Sequence, residues 1–174
     1  GKHQRQNAAL AATTVNALQA TMPVNNDHIK TGLAEVHWPA RAQVLEHAGH
    51  KLLLDAVHNP ASAEALRGVL SELHSGQRST LMLGVLADKN WKQIVEILVP
   101  LAGRIVCVPV SSERTLPPDE LAEACRQQTD CEVIASASLE DGLAAVAADD
   151  FVVITGSIYL LGEALELLGL AAAV

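Results

Sequence analysis

Residues 52–60 read Leu-Leu-Leu-Asp-Ala-Val-His-Asn-Pro. Three consecutive aliphatics suit a strand buried on both faces of a parallel sheet, since a strand with one wet face would alternate apolar and polar. Asp55, His58 and Asn59 then arrive where that strand must end. Pro60, with φ already set and no N–H to satisfy, opens a helix. Ligands of open α/β sheets sit outside the carboxyl ends of the strands, so this turn also presents polar groups where a ligand would lie.

The same alternation continues along the chain. Residues 42–46 read as a strand, a turn around Gly49 returns the chain, and residues 51–56 complete an antiparallel hairpin at a sheet edge. Leu66, Val69, Leu70 and Leu73 mark one helical face, which Gly76 follows. Residues 80–86 are the next apolar strand, and Trp91, Ile94, Val95 and Leu98 draw a second helical stripe. A strand over 105–110, a polar loop closed by Pro117-Pro118, and a helix carrying Leu121, Ala122 and Cys125 come next. Residues 132–135 form a short strand, and Ser138 with Asp141 resembles a capping box for a helix carrying Leu139, Leu143 and Val146. Residues 151–154 are the last strand, Thr155-Gly156-Ser157 the turn, and 157–168 the final helix. Right-handed crossovers then give a Rossmann-like α/β fold, a mostly parallel sheet of five or six strands with helices on both faces.

Upstream, residues 1–22 are Ala-rich and free of Pro, which predicts a helix from about Asn7 with Asn7 as its cap. Residues 29–37 predict a short helix. Pro39 biases Trp38 toward extended backbone, so residues 38–41 are expected to form a domain joint. It begins with Gly1 inside a helical pattern, which reads as a piece of a longer polypeptide.

An apolar fraction of 49% with only 2% aromatics demands a close-packed aliphatic core. A net charge of −8, with twelve dispersed basic residues, argues against a nucleic-acid partner, which needs clustered cations. Cys107, Cys125 and Cys131 fall in three different elements, as buried free thiols in a reducing cytoplasm would. No signal-peptide pattern opens the chain. Glu163 and Glu166 interrupt the Leu-rich tail and mark a solvated helix face, so no membrane partner is expected.

Four stretches carry candidate chemistry. Asp55 could hold a ribose hydroxyl or a metal-bound water, and His58 a carboxylate or a proton in transit; the plainer reading makes Asp55 and Asn59 caps and His58 a surface residue. Gly156 could let backbone N–H groups approach an anion, with Ser157 completing the site; otherwise Ser157 only caps a helix. Arg41 at the joint could clamp a phosphate, whereas most arginines solvate a surface. Residues 84–90 form a strand-end loop that could merely turn and cap. His47 and His50 have metal-like spacing without Cys or carboxylate support, so they read as exposed. Gly-x-x-x-x-Gly-Lys-Ser/Thr, Gly-x-Gly-x-x-Gly after the first strand and Gly-x-Ser-x-Gly are all absent.

Five stretches, taken in order, resemble the folylpolyglutamate synthase/dihydrofolate synthase family, ATP-dependent ligases related to the muramyl peptide ligases. They are Gly1-Lys2-His3-Gln4-Arg5-Gln6-Asn7, Trp38-Pro39-Ala40-Arg41, Leu54-Asp55-Ala56-Val57-His58-Asn59-Pro60, Gly84-Val85-Leu86-Ala87-Asp88-Lys89 and Thr155-Gly156-Ser157-Ile158-Tyr159-Leu160. The resemblance implies that 1–38 are the tail of a central ATPase domain and 39–174 a Mur-ligase-type C-terminal glutamate-ligase domain. It implies addition of L-glutamate to folate or dihydropteroate through an acyl phosphate, with ATP and Mg2+. The phosphate loop and metal ligands would lie in a missing N-terminal domain, leaving this chain inactive alone.

By motif, Asn7 would contact the adenine side of ATP, Arg41 its phosphates and Asp55 the nucleotide from across an interdomain cleft. His58 and Ser157 would bind glutamate, with Tyr159 nearby. The sequence departs from the pattern at Ala40, often Gly, at Ala56-Val57, often Gly-Ala, and at Asn90, often Asp. Two other readings keep the fold: a muramyl-peptide-type amino acid ligase, or a noncatalytic α/β binding module.

Overall fold

A computed structural model describes residues 2–36, 38–73 and 78–170. The chain divides into two compact units, Gly1–Trp38 and Pro39–Val174. The first holds two helices, α1 (Lys2–Ala17) and α2 (Asn26–Glu35). Asn7 lies inside α1 rather than at its start, and its amide donates to Gln4 Oε1, so it is not the cap that the sequence predicts. The helix begins earlier because nothing in residues 2–6 opposes it; Gln, Lys and Arg are good helix formers. Asn25 caps α2, accepting from His28 N at 2.8 Å.

The second unit is a six-stranded sheet: β1 (Gln43–His47), β2 (His50–Asp55), β3 (Ser79–Leu83), β4 (Ala102–Cys107), β5 (Glu132–Ala135) and β6 (Phe151–Thr155). Its order is β1-β2-β6-β3-β4-β5. β1 pairs antiparallel with β2 and all other pairings are parallel. The helices are α3 (Pro60–Leu73), α4 (Trp91–Leu98), α5 (Pro118–Arg126), α6 (Leu139–Ala145) and α7 (Ile158–Leu167).

Strand alternation sorts the core into two layers. Leu53, Leu81, Leu83, Ile105 and Val153 point to one face, where α3, α4 and α5 supply Leu66, Ile94, Leu98 and Leu121. Leu52, Leu54, Met82, Val106 and Ile154 point to the other, where α6 and α7 supply Leu139, Leu160, Leu161 and Ala164. Handedness explains the division: stepping β2, β3, β4, β5 across the sheet puts three crossovers on one face. The reversal to β6 puts α6 on the other. Each fully buried Leu or Ile contributes about 1.5–3 kcal/mol.

Several boundaries and burials differ from the sequence reading. β3 ends at Leu83; Val85 and Leu86 remain buried but leave the ladder, because Gly84 brings the chain against Val108 O, where a Cβ would sit only 2.9 Å away. β4 runs three residues earlier than expected and ends at Cys107. Leu73 is exposed, and Ala63 completes the buried α3 face instead. Gly76 lies outside the described residues. Cys107 and Cys125 are buried, but Cys131, beside an edge strand, is only half-buried. A hydrogen bond with Cys125, then burial, pushes the Cys107 thiol far above its usual range. Glu166 is exposed as expected, whereas Glu163 is half-buried, with Oε2 unpartnered among the described residues. His47 and His50 face each other across the β1–β2 hairpin and are half-buried, not exposed. Among the described residues no helix is long and apolar enough to cross a membrane.

Gly156 has φ +113°, and a Cβ there would collide with the Gly84 carbonyl oxygen. Gly162, on the exposed side of α7, has nothing within 4 Å. Gly156→Ala is expected to cost about 3 kcal/mol or more through strain and overpacking, and Gly162→Ala to stabilise by about 0.5–1 kcal/mol. Chemical denaturation of the two variants checks the contrast.

Candidate functional site

The β2 and β6 strands lie side by side, with Asp55 opposite Thr155. The chain leaves β2 toward α3 on one face and β6 toward α7 on the other. Diverging exits of this kind open a crevice at the carboxyl ends of the strands. The Asp55/His58 and Gly156/Ser157 turns both lie at that end. Thr155 is fully buried, and its Oγ1 donates to Asp55 O at 2.7 Å, joining one turn to the other.

In the first turn, Asn59 caps α3: its Oδ1 accepts from Ser62 N at 2.9 Å. The Ser62 hydroxyl accepts from the His58 and Asn59 N–H groups, each at 3.2 Å, and donates to Asn59 O at 2.8 Å. Sequence reading missed Ser62, although its place three residues after Asn59 is the signal of a reciprocal cap. His58 is exposed; Nδ1 donates to Ala56 O at 3.0 Å, and Nε2 accepts from Asn59 Nδ2 at 3.1 Å.

Asp55 does not cap α3. Its buried carboxylate reaches sideways, and Oδ2 accepts from Ala42 N at 2.8 Å. This ties the turn to the loop that carries Arg41. Ala40 and Ala42, on either side of Arg41, have φ of +56° and +47°. Left-handed backbone costs a non-glycine residue about 1–2 kcal/mol, so the loop keeps its shape only because other contacts impose it. A Gly at position 40 would avoid that cost. Arg41 is exposed and makes no ion pair with the described residues.

In the second turn Ser157 caps α7, its Oγ accepting from Tyr159 N at 3.2 Å. Ser157 is buried, while Ile158 and Tyr159 are exposed. The N-termini of α3 and α7 therefore begin at adjacent strand ends, where the partial positive charge of each helix end favours an anion.

Residues 84–90 turn tightly: Ala87 N donates to Arg114 O at 2.8 Å, and Arg114 Nη1 to Asp88 Oδ2 at 2.8 Å. Desolvation pushes the Asp88 carboxyl up, but the Arg114 hydrogen bond and charge, with Lys89, outweigh it and leave the carboxyl below its usual range. The pair thus supports folding above the unfolded carboxylate pKa, and that support fades as pH falls through the lower folded value. Asn90 begins α4 without a side-chain cap hydrogen bond.

The structure brings Arg41, Asp55, His58 and Ser157 into one unit, on loops joined by the Ala42–Asp55 and Thr155–Asp55 hydrogen bonds. Asn7 lies in the other unit. Among the described residues no group of three His, Cys, Asp or Glu side chains could hold a metal ion.

Residues 40–158 match the family described as Mur ligase, glutamate ligase domain. The chain belongs to that family. It is 33% identical over 165 residues to the folylpolyglutamate synthase of Lacticaseibacillus casei, covering 92% of this chain and 37% of that protein. It is 32% identical over 190 residues to the dihydrofolate synthase/folylpolyglutamate synthase of Mycobacterium tuberculosis, covering 97% of this chain and 39% of that one. The structure of Mycobacterium tuberculosis folylpolyglutamate synthase complexed with ADP superposes with a TM-score of 0.85 at 30% identity, over 97% of this chain and 40% of that one. The chain thus spans roughly two fifths of the relatives it matches. In this Mur ligase domain, Arg41, Asp55 and His58 fall inside the family match, as does Ser157.

The strain at the Arg41 loop can be read directly. Ala42→Val, β-branched and unsuited to positive φ, is expected to cost at least about 2 kcal/mol, while Ala42→Gly stays within about 1 kcal/mol of the parent. Thermal unfolding of the pair measures it.

Proposed function

We propose that this chain is the C-terminal part of an ATP-dependent ligase that adds L-glutamate to folate, to dihydropteroate, or to both. What carries the reading is the meeting of three loops at neighbouring strand ends: one presenting an exposed guanidinium, two opening helices toward an anion. Family membership and the relatives' names set the reaction class.

A carboxylate is a poor electrophile. Transfer of the γ-phosphoryl group of ATP to it gives ADP and an acyl phosphate, whose carbonyl carbon the glutamate amine then attacks. Phosphate leaves with the electron pair of the broken C–O bond, and the amine gives up a proton as the amide forms. Fixed cationic groups and N–H donors stabilise the charge that develops. In this chain Arg41 would meet the phosphates and Asp55 would hold its loop and contact the nucleotide. The α3 and α7 N-termini, with His58 and Ser157, would receive a glutamate carboxylate, Tyr159 flanking them.

Residues 1–38 would be the tail of the ATPase domain, with Asn7 toward adenine. A bound Mg2+ would neutralise phosphate charge, and its ligands would come from an upstream N-terminal domain. The three reduced cysteines fit a cytoplasmic protein.

The test joins this chain to the upstream ATP-binding region. Glutamate-dependent release of ADP is expected from the assembled ligase and not from the chain alone. Arg41→Ala should raise the KM for ATP, and His58→Ala or Ser157→Ala the KM for glutamate, each by about tenfold, the worth of one hydrogen bond to a charged group. A variant series with no such split contradicts the assignment.

A further inference from the structure

The loop that presents Arg41 is held at three backbone atoms. Ala40 N donates to Gln43 Oε1 at 3.0 Å, Ala40 O accepts from Ala56 N at 2.9 Å, and Ala42 N donates to Asp55 Oδ2 at 2.8 Å. Two of these restraints come from the β2 strand end. The third comes from Gln43, the first residue of β1, paired across the hairpin with Leu54. Ala40 is buried and left-handed, and Arg41, the residue between the two strained alanines, is exposed.

We infer that Gln43 is a positioning residue: its side-chain oxygen holds Ala40 in left-handed backbone and so aims the Arg41 guanidinium. Without that acceptor, the buried Ala40 N–H loses its partner and the alanine's preference for negative φ is unopposed on that side. The loop then relaxes and Arg41 leaves its direction. Gln43 itself touches no ligand. Gln43 is half-buried, and its amide looks back three positions to its own loop rather than to solvent.

The inference rests on Arg41 as a phosphate contact, and the test separates the two. In the assembled ligase, binding of the ATP analogue AMPPNP is measured by calorimetry for Gln43→Met, Gln43→Glu, Arg41→Ala and the double variant Gln43→Met/Arg41→Ala. Gln43→Met keeps the side-chain length but has no oxygen, and should weaken AMPPNP about tenfold. Gln43→Glu keeps an acceptor in place and should retain most of the affinity. In the Arg41→Ala background, Gln43→Met should cause no further loss. Amide hydrogen exchange at Ala40 should quicken in Gln43→Met and not in Gln43→Glu.

If the two losses add, or if Gln43→Glu fails to restore binding, Gln43 does not act through Arg41 and the inference is wrong. If Arg41→Ala leaves AMPPNP affinity intact, the phosphate role of Arg41 falls, and this inference with it. Should Gln43→Met not fold, Gln43→Thr, a good strand residue too short to reach Ala40, gives the same comparison.

Discussion

The pairing of β2 with β6 is the constraint on which the rest depends. These strands are almost a hundred residues apart in sequence, yet Asp55 lies opposite Thr155, and the Thr155 hydroxyl locks the two strand ends with a buried hydrogen bond. Because β6 inserts between β2 and β3, the sheet places two helix N-termini side by side with their helices leaving on opposite faces. A sheet in simple sequence order would have separated the His58 and Ser157 turns. Gly156 is what lets β6 turn off at that point, in a backbone region closed to other residues and against the Gly84 carbonyl.

Charge is arranged around this crevice with economy. An ion-pair network, Arg104 with Glu132 and Asp149, braces the strand starts at the opposite end of the sheet. Arg104 also donates to Ala145 O, and Thr80 to Asp149. At the carboxyl ends, Asp88 engages Arg114, and Asp55 is turned toward the Ala42 N–H. Arg41 is left exposed on a loop that three hydrogen bonds force into costly backbone geometry. Strain retained in this way marks a position where local stability has been given up for direction.

Much of this was legible in the chain. Three aliphatics before Asp55 announced a doubly buried strand, and Ser138 and Ser157 announced helix starts where the structure has them. The order of the sheet was not, because strand pairing between residues a hundred positions apart leaves no local mark. Asn7 misled because Asn is a good cap, but a helix with nothing to stop it begins as early as it can. For Asp55 the plainer reading, a cap on α3, fails because tertiary contact turns the carboxylate to the Ala42 N–H instead. Leu73 fell on the apolar stripe but past the end of the core. The left-handed backbone at Ala42 gave no sequence signal, since Gly, Asn and Asp are the residues that ordinarily mark it, whereas at Ala40 the departure from an often-Gly pattern was a hint.

In the proposed ligase, one crevice between the β2 and β6 ends would gather nucleotide phosphate and glutamate. A crystal structure of the assembled ligase with AMPPNP and glutamate tests it most directly. Phosphate oxygens are expected within hydrogen-bond reach of the Arg41 guanidinium, and a glutamate carboxylate at the α3 and α7 N-termini. Glutamate bound away from those helix ends, or a nucleotide with Arg41 turned from its phosphates, would contradict it.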